Sequence, residues 1–258
     1  MKRVTSLLLC LGLLFTFLAF PSAAKATAEF TTFEAAFKTW KGDWRGKNGP
    51  IKMQLKDDTM TFDYNPVFFF DKSFEMTDEE KDDFIERCVR GFKRWEGVYD
   101  IDGHAIEVIV NVTTGITDKK LQSSVQVLPP NGLASMVLGA VIWWPGSPLL
   151  TIFFRTSNPR TGFEKTAMHE FGHVLGIFDA YGYRAHFARY GLGDLADFLM
   201  PEAPEDRAPV GCVMDSGWNI SSTEIEMILY AWSTGHLQLY TKNLLVVLGA
   251  KESPVFCK

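Results

Sequence analysis

Residues 167–180 read AMHEFGHVLGIFDA, and the reading of the whole chain turns on them. His169, Glu170 and His173 stand in the order H-E-x-x-H, with Gly176 and Asp179 three and six residues beyond the second histidine. On an α-helix, residues four apart lie one turn apart on the same face. Two imidazoles so placed can share a metal ion, most often zinc. The glutamate between them projects beside the ion, where a carboxylate can take a proton from water. Glycine adopts positive φ without strain, so Gly176 can end the helix and turn the chain back. Asp179 then returns to the same ion as a third ligand.

The surrounding residues fit a helix. Thr161 followed by Glu164 is a capping-box pattern, which predicts a helix starting at Thr161. At about 100° per residue, Ala167, Phe171, Val174, Leu175 and Phe178 make one apolar stripe, with His169 and His173 nearly opposite. One face is expected in the core and the other on a polar cleft. A bare H-E-x-x-H also arises by chance on ordinary amphipathic helices. The added glycine and carboxylate make that the weaker reading here.

The 258 residues suffice for one large domain or two small ones. Lys2 and Arg3 precede an apolar run from Leu7 to Phe20, then Pro21 and small residues through Ala26, the order of a secretory signal peptide. Residues 1–26 are therefore expected to be removed and the protein to be secreted. The competing reading, an uncleaved membrane anchor, is disfavoured by the shortness of the run. Residues 1–26 hold Lys2, Arg3 and Lys25 and no acid, so 23 basic and 31 acidic residues remain, a net charge of about −8. That balance argues against non-specific nucleic-acid or anionic-membrane binding by the mature form. It leaves Cys88, Cys212 and Cys257. An odd number in an oxidising compartment suggests one disulfide, Cys212 with Cys257, and a thiol at Cys88 on the apolar face of a helix.

From residue 32, Phe33, Phe37, Trp40 and Trp44 recur at helical spacing, predicting a short helix to Trp44. Ile51, Met53 and Leu55, then Asp57-Asp58, then Met60, Phe62 and Tyr64 predict a β-hairpin. Residues 27–57 thus form an N-terminal arm, read as packing on the domain rather than as an inhibitory pro-segment. Thr77 and Glu80 make a capping box before a helical stripe of Phe84, Ile85, Cys88, Val89, Phe92 and Trp95, predicting a helix over 78–96. Strands are predicted at 104–113 (near-continuously apolar, hence buried), 123–128, 136–143 and 149–156. A short helix near 195–200, a tight segment GCVMDSG (211–217), a capped helix from Ser221 and a last strand or turn in LLVVLGA (244–250) complete the chain. Strands alternating with helices predict a mixed α/β (α+β) domain.

HEFGHVLGIFD resembles the zinc motif of the metzincin metalloproteases, H-E-x-x-H-x-x-G-x-x-H/D. The Asp-ending form, followed by Ala180 and Tyr181, is similar to the snapalysin-type bacterial proteases. Met214 in CVMDSG, 35 residues after Asp179, matches the methionine turn that the clan places beneath its metal. The helix from Ser222, the upstream MTFDYN and EVIVNVT, and VLGAVIWWPGSPLLTIFF resemble elements of matrixin domains over roughly residues 58–235. The resemblance implies a metzincin-like fold, a twisted mixed sheet with an active-site helix, in a catalytic domain over 58–258. Its upper subdomain would run to about 176, and a smaller C-terminal subdomain would end in a helix.

The resemblance further implies a secreted zinc endopeptidase acting on protein or peptide. His169, His173 and Asp179 would hold Zn(2+), and Glu170 would act as general base. The edge strand Leu138, Gly139, Ala140, Val141 and Ile142 would pair with an extended substrate. His186 is the competing third ligand, although its spacing from His173 departs from the clan pattern. Ser216 stands where some members carry a tyrosine, and Tyr181 is the candidate to offer a hydroxyl near the metal instead. Two other readings stay open: a zinc-stabilised binding protein without turnover, and a zinc hydrolase of a non-peptide amide. Oligomeric state is not legible.

Overall fold

The expected hairpin forms and starts the sheet. The computed structural model describes residues 32–40, 42, 44–46, 49–130, 150–157, 159, 163–180, 209, 211–215, 217–240 and 250–256, and the backbone of 136–138. Strand β1 (Ile51–Lys56) pairs antiparallel with β2 (Thr59–Tyr64), Ile51 opposite Tyr64. Asp57 and Asp58 join them at φ 49° and 61°, the two positive φ values a two-residue hairpin turn requires. Alternation then buries Ile51, Met53, Leu55, Met60, Phe62 and Tyr64 on one face.

The chain continues through β3 (Val67–Phe70), β4 (Gly97–Ile101), β5 (His104–Val112), β6 (Gly115–Ile116), β7 (Val125–Leu128), β8 (Met136–Leu138) and β9 (Thr151–Arg155). Two ladders result, ordered β1-β2-β5-β4 and β6-β3-β7-β9-β8. They run into each other. The amides of Thr113, Gly115 and Thr117 donate to the carbonyls of Tyr64, Pro66 and Phe68 at 3.0, 3.0 and 2.9 Å, carrying the β2–β5 pairing on into β3–β6. The β2–β5, β3–β6, β3–β7 and β7–β9 pairs are parallel, whereas β1, β4 and β8 run antiparallel to their neighbours. The sheet is therefore mixed, and β8 lies at one of its edges.

Among the described residues there are four α-helices: α1 (Phe33–Thr39), α2 (Asp78–Lys93), α3 (Glu164–Leu175) and α4 (Ser222–Thr234). None is long and apolar enough to cross a membrane. Helices α2 and α3 pack on each other, and their aromatic side chains meet those of the sheet. Tyr64, Phe92 and Phe171 form a triangle with ring centroids 5.0–5.2 Å apart. Phe84 meets Phe154 and Phe163 at 5.9 and 5.3 Å. The arm belongs to the same core, with Phe33, Ala36 and Trp40 buried in it.

Several boundaries differ from expectation. Helix α1 stops at Thr39, because Trp40 turns extended and Gly42 takes φ 78°. Trp40 stacks instead under the Arg45 guanidinium, 3.9 Å from its ring centre. Helix α2 ends three residues early, at Lys93, and Trp95 beyond it donates its indole N–H to the Met168 carbonyl at 2.9 Å. Strand β5 is buried on one side only. Ile106, Val108 and Val110 point inward while Glu107 and Asn111 face out, since only one face of that strand is covered. Helix α3 starts at Glu164 rather than Thr161. Its N-cap, Phe163, provides no side-chain cap, and the Glu164 carboxylate takes the Arg90 and Arg94 guanidinium groups of α2. Helix α4 does not end the fold: the chain turns at Gly235 into β10 (Gln238–Leu239), which pairs parallel with β11 (Lys251–Glu252). Cys212 is a buried free thiol, which corrects the expected pairing with Cys257. Residues 1–26, Gly139–Ile142, Thr161, Tyr181, His186, the expected helix near 195–200, residues 244–249 and Cys257 lie outside the described residues.

Candidate metal centre

Helix α3 brings its two histidines to one point. The apolar positions Ala167, Phe171, Val174 and Leu175 are buried in the core, as the stripe predicts. Phe178 is not part of that stripe, because the helix has already ended: Gly176 sits in the left-handed region at φ 104°, and its N–H caps Gly172 and His173. The reversal carries Asp179 back against the histidines. Its Oδ1 lies 2.9 Å from His169 Nε2 and 3.3 Å from His173 Nε2. The three ligand atoms fall within 4.8 Å of one another, the one such cluster of three or more potential ligands among the described residues.

Both rings are oriented from behind. His169 Nδ1 lies 2.8 Å from the Val213 carbonyl and His173 Nδ1 2.9 Å from that of Ile177. A carbonyl only accepts, so Nδ1 carries the hydrogen in each ring and Nε2 faces Asp179. This is the arrangement in which a metal-binding imidazole is held by its other nitrogen. The ring planes stand at 89° to each other, so the two Nε2 atoms converge without stacking.

The donor set fits a divalent ion such as zinc. Ligands about 2.0–2.2 Å from a tetrahedral ion stand roughly 3.3–3.6 Å apart. The observed 3.3 Å lies at the lower end of that range and 2.9 Å falls short of it, as direct carboxylate–imidazole contact would give. Charge points the same way. Burial works against ionised Asp179, yet His173 and His169 hold its carboxyl well below the usual carboxylate range. Burial alone would lower His173, but the Asp179 carboxylate beside it carries the imidazole up to about 9. A buried carboxylate and two imidazoles thus lean on one another where a cation would satisfy all three.

Glu170 is buried beside them. Burial raises its carboxyl above the ordinary range, against the pull of His173 and His169. Its Oε2 has no hydrogen-bond partner among the described residues. A buried carboxylate oxygen without a partner is costly and is retained where chemistry uses it.

Met214 lies in a short 3-10 turn (Val213–Asp215) beneath the helix. The turn touches the centre twice through its backbone, at the Val213 carbonyl on His169 and at the Met214 carbonyl, which accepts the Ala180 amide at 2.9 Å. Trp218, just beyond it, is 53% exposed, with the Lys165 ammonium 5.3 Å over its ring. Of the edge strand, the described part is β8, whose Leu138 pairs with Thr151, and it lies beside α3.

Four residues that shape the centre carry no motif. Gly172 admits the Met214 side chain against the helix. Trp232 donates its indole N–H to the Leu175 carbonyl at 2.9 Å. Gln238 bonds to both sides of the ligand turn. Tyr240 reaches the buried Glu224 carboxylate. A glycine inside a helical pattern was the one available signal, for Gly172. No family model matches the chain and no curated protein matches it.

Proposed function

We propose that the protein is a secreted zinc-dependent endopeptidase of metzincin type, with His169, His173 and Asp179 as metal ligands and Glu170 as general base. The observation that carries this reading is the convergence of two imidazole nitrogens and one carboxylate oxygen beside a buried glutamate oxygen that has no hydrogen-bond partner among the described residues. A metal centre that only stabilised the fold would have no use for that glutamate.

The chemistry such an ion supplies when bound is Lewis acidity toward a carbonyl oxygen and acidification of water. Glu170 takes the proton of the attacking water and passes it to the leaving amine nitrogen, so that one carboxylate serves as base and then acid. Its raised affinity for a proton, the result of burial, suits both halves of that transfer. Nδ1–H contacts to Val213 and Ile177 keep both rings in the tautomer that leaves Nε2 free to ligate. The sheet edge at β8 offers backbone groups to an extended peptide, and the Met214 turn supports the histidines from below.

The test combines metal analysis with cleavage mapping on a denatured protein mixture, for wild type and Glu170→Gln. Wild type is expected to hold one zinc and to cut internal peptide bonds. Glu170→Gln is expected to hold zinc equally and to lose activity by several orders of magnitude. Full activity in that variant overturns the role of Glu170. Zinc without peptide cleavage in wild type would favour the binding-protein reading.

A further inference from the structure

Asp179 sits in a four-residue turn, and a turn alone does not place a carboxylate. The Ile177 amide still bonds back to the Gly172 carbonyl at 3.1 Å, and beyond it the helical hydrogen bonds stop. What holds the turn is a set of long-range backbone contacts. The Gly176 carbonyl accepts the Gln238 amide at 2.9 Å, and the Phe178 amide donates to the Gln238 carbonyl at 3.0 Å. Both backbone groups of one residue therefore grip the turn on either side of Ile177, in a parallel bridge between Ile177 and Gln238. The Ala180 amide is held by Met214, and the Leu175 carbonyl by Trp232.

Gln238 is itself backed. On the other side of β10, the Lys251 and Ser253 amides donate to the Leu237 and Leu239 carbonyls at 2.8 and 2.9 Å. The alternation of a strand means that Gln238 spends its own groups on the turn while its neighbours spend theirs on β11. The pair is anchored by burial of Leu237, Leu239, Tyr240 and Ser253. The Tyr240 hydroxyl donates to Glu224 Oε1 at 3.1 Å, and Phe256 packs on the Tyr240 ring at 5.4 Å. Far from being a trailing end, the last described segment backs a strand that is bridged on its other side to the ligand turn at Ile177.

We propose that the C-terminal strand pair β10–β11 is a built-in clamp that sets Asp179 as a metal ligand through the two backbone hydrogen bonds of Gln238. This rests on the reading of Asp179 as a ligand. Gln238 is a positioning residue: it touches neither metal nor substrate, and it acts by leaving the carboxylate few places to be.

The experiment is a zinc competition titration on the full chain, with the visible spectrum of the cobalt-loaded protein as a second readout. Gln238→Pro removes the amide that Gly176 uses. Deletion of residues 250–258 removes β11 and serves if the proline variant does not fold, as judged by near-ultraviolet circular dichroism. Gln238→Ala keeps the backbone contacts. Each is made in wild type and in an Asp179→Asn background. Gln238→Pro and the deletion are expected to weaken zinc about 10–100-fold in wild type, the usual effect of losing a supporting partner. They should also dim the tetrahedral cobalt bands. In Asp179→Asn they are expected to change zinc affinity by less than about threefold, because the ligand they position is gone. Gln238→Ala should behave as wild type. Equal losses in both backgrounds, no loss in either, or a loss in Gln238→Ala as large as in Gln238→Pro overturns the clamp. If Asp179→Asn alone leaves zinc affinity and the cobalt spectrum unchanged, the ligand assignment falls and the clamp falls with it. Clamp failure on its own is distinct, since Asp179→Asn then still weakens zinc.

Discussion

Met214 lies against the backbone of the metal helix at Gly172: a β-carbon at position 172 would stand 2.4 Å from Met214 Sδ and 3.1 Å from Trp95 Cζ2. The two residues are 42 positions apart. Their contact sets how close the turn carrying the Val213 carbonyl can come to His169.

Gly172→Ala is therefore expected to destabilise the protein. Helix propensity alone would favour alanine by up to about 1 kcal/mol. Forcing the buried Met214 side chain aside is expected to cost about 1–3 kcal/mol, so the clash wins. Adding Met214→Ala should recover part of the loss, a less-than-additive pair that denaturant unfolding of the two singles and the double would show. Strict additivity would mean that the contact does not govern the packing.

Asp179 and His186 are the two candidates for third ligand, and their variants should separate cleanly. Asp179→Ala is expected to lower zinc affinity by more than the roughly 10–100-fold that loss of a supporting partner costs. His186→Ala is expected to leave it unchanged. Zinc competition titrations decide between them, and the reverse pattern would move the ligand to His186.

One capping motif occurs in two settings, which predicts two different costs. Thr77 and Glu80 cap α2 at the surface, with the Thr77 amide on Glu80 Oε2 at 2.9 Å and the Glu80 amide on Thr77 Oγ1 at 3.3 Å. Thr77→Ala should cost about 1 kcal/mol. Glu224 at the start of α4 is fully buried and accepts the Ser221 amide, the Ser221 hydroxyl and the Tyr240 hydroxyl. Glu224→Ala strands the half-buried Ser221 donors and the buried Tyr240 hydroxyl and should cost about 2–4 kcal/mol. It also loosens Tyr240, so zinc affinity should fall in that variant and stay constant in Thr77→Ala. Thermal unfolding and zinc titration of both variants check this.

Cys212 should stay reduced and unreactive. Burial, with the Glu224 carboxylate nearby, pushes its thiol up to about 12, so very little thiolate exists at pH 8. Cys88, buried on α2, is raised by burial as well. Alkylation at pH 8 with mass mapping is expected to leave both unmodified in the native protein and to label both after unfolding. A mass consistent with a Cys212–Cys257 bridge would contradict the buried free thiol.

What could be read from the chain alone was what local spacing governs. His169, Glu170 and His173 share a helix because four residues make about one turn. Gly176 ends that helix because it alone among the neighbouring residues takes φ 104° at no cost. The hairpin at Asp57-Asp58 and the Thr77–Glu80 cap are decided within three or four residues. The metal helix's own start was misjudged for a related reason. The Thr161–Glu164 pattern is a local signal, whereas the helix begins at Glu164, whose carboxylate is held by two arginines of α2. Pairing Cys212 with Cys257 failed likewise, since parity of cysteines carries no information about where their chains run.

Tertiary structure decided everything that depends on remote segments approaching each other. That Asp179 meets both imidazoles depends on its turn being pinned by Gln238 and Met214, 59 and 35 residues downstream. That Glu170 keeps a buried oxygen without a partner among the described residues depends on what packs around it, and no spacing rule reports that. The sequence by itself determined which side chains could form a metal centre, because helix and turn geometry are short-range. Only the folded sheet, with its C-terminal strands laid beside the ligand turn, decided that they meet, because backbone hydrogen bonds between distant segments are written in no single stretch of the chain.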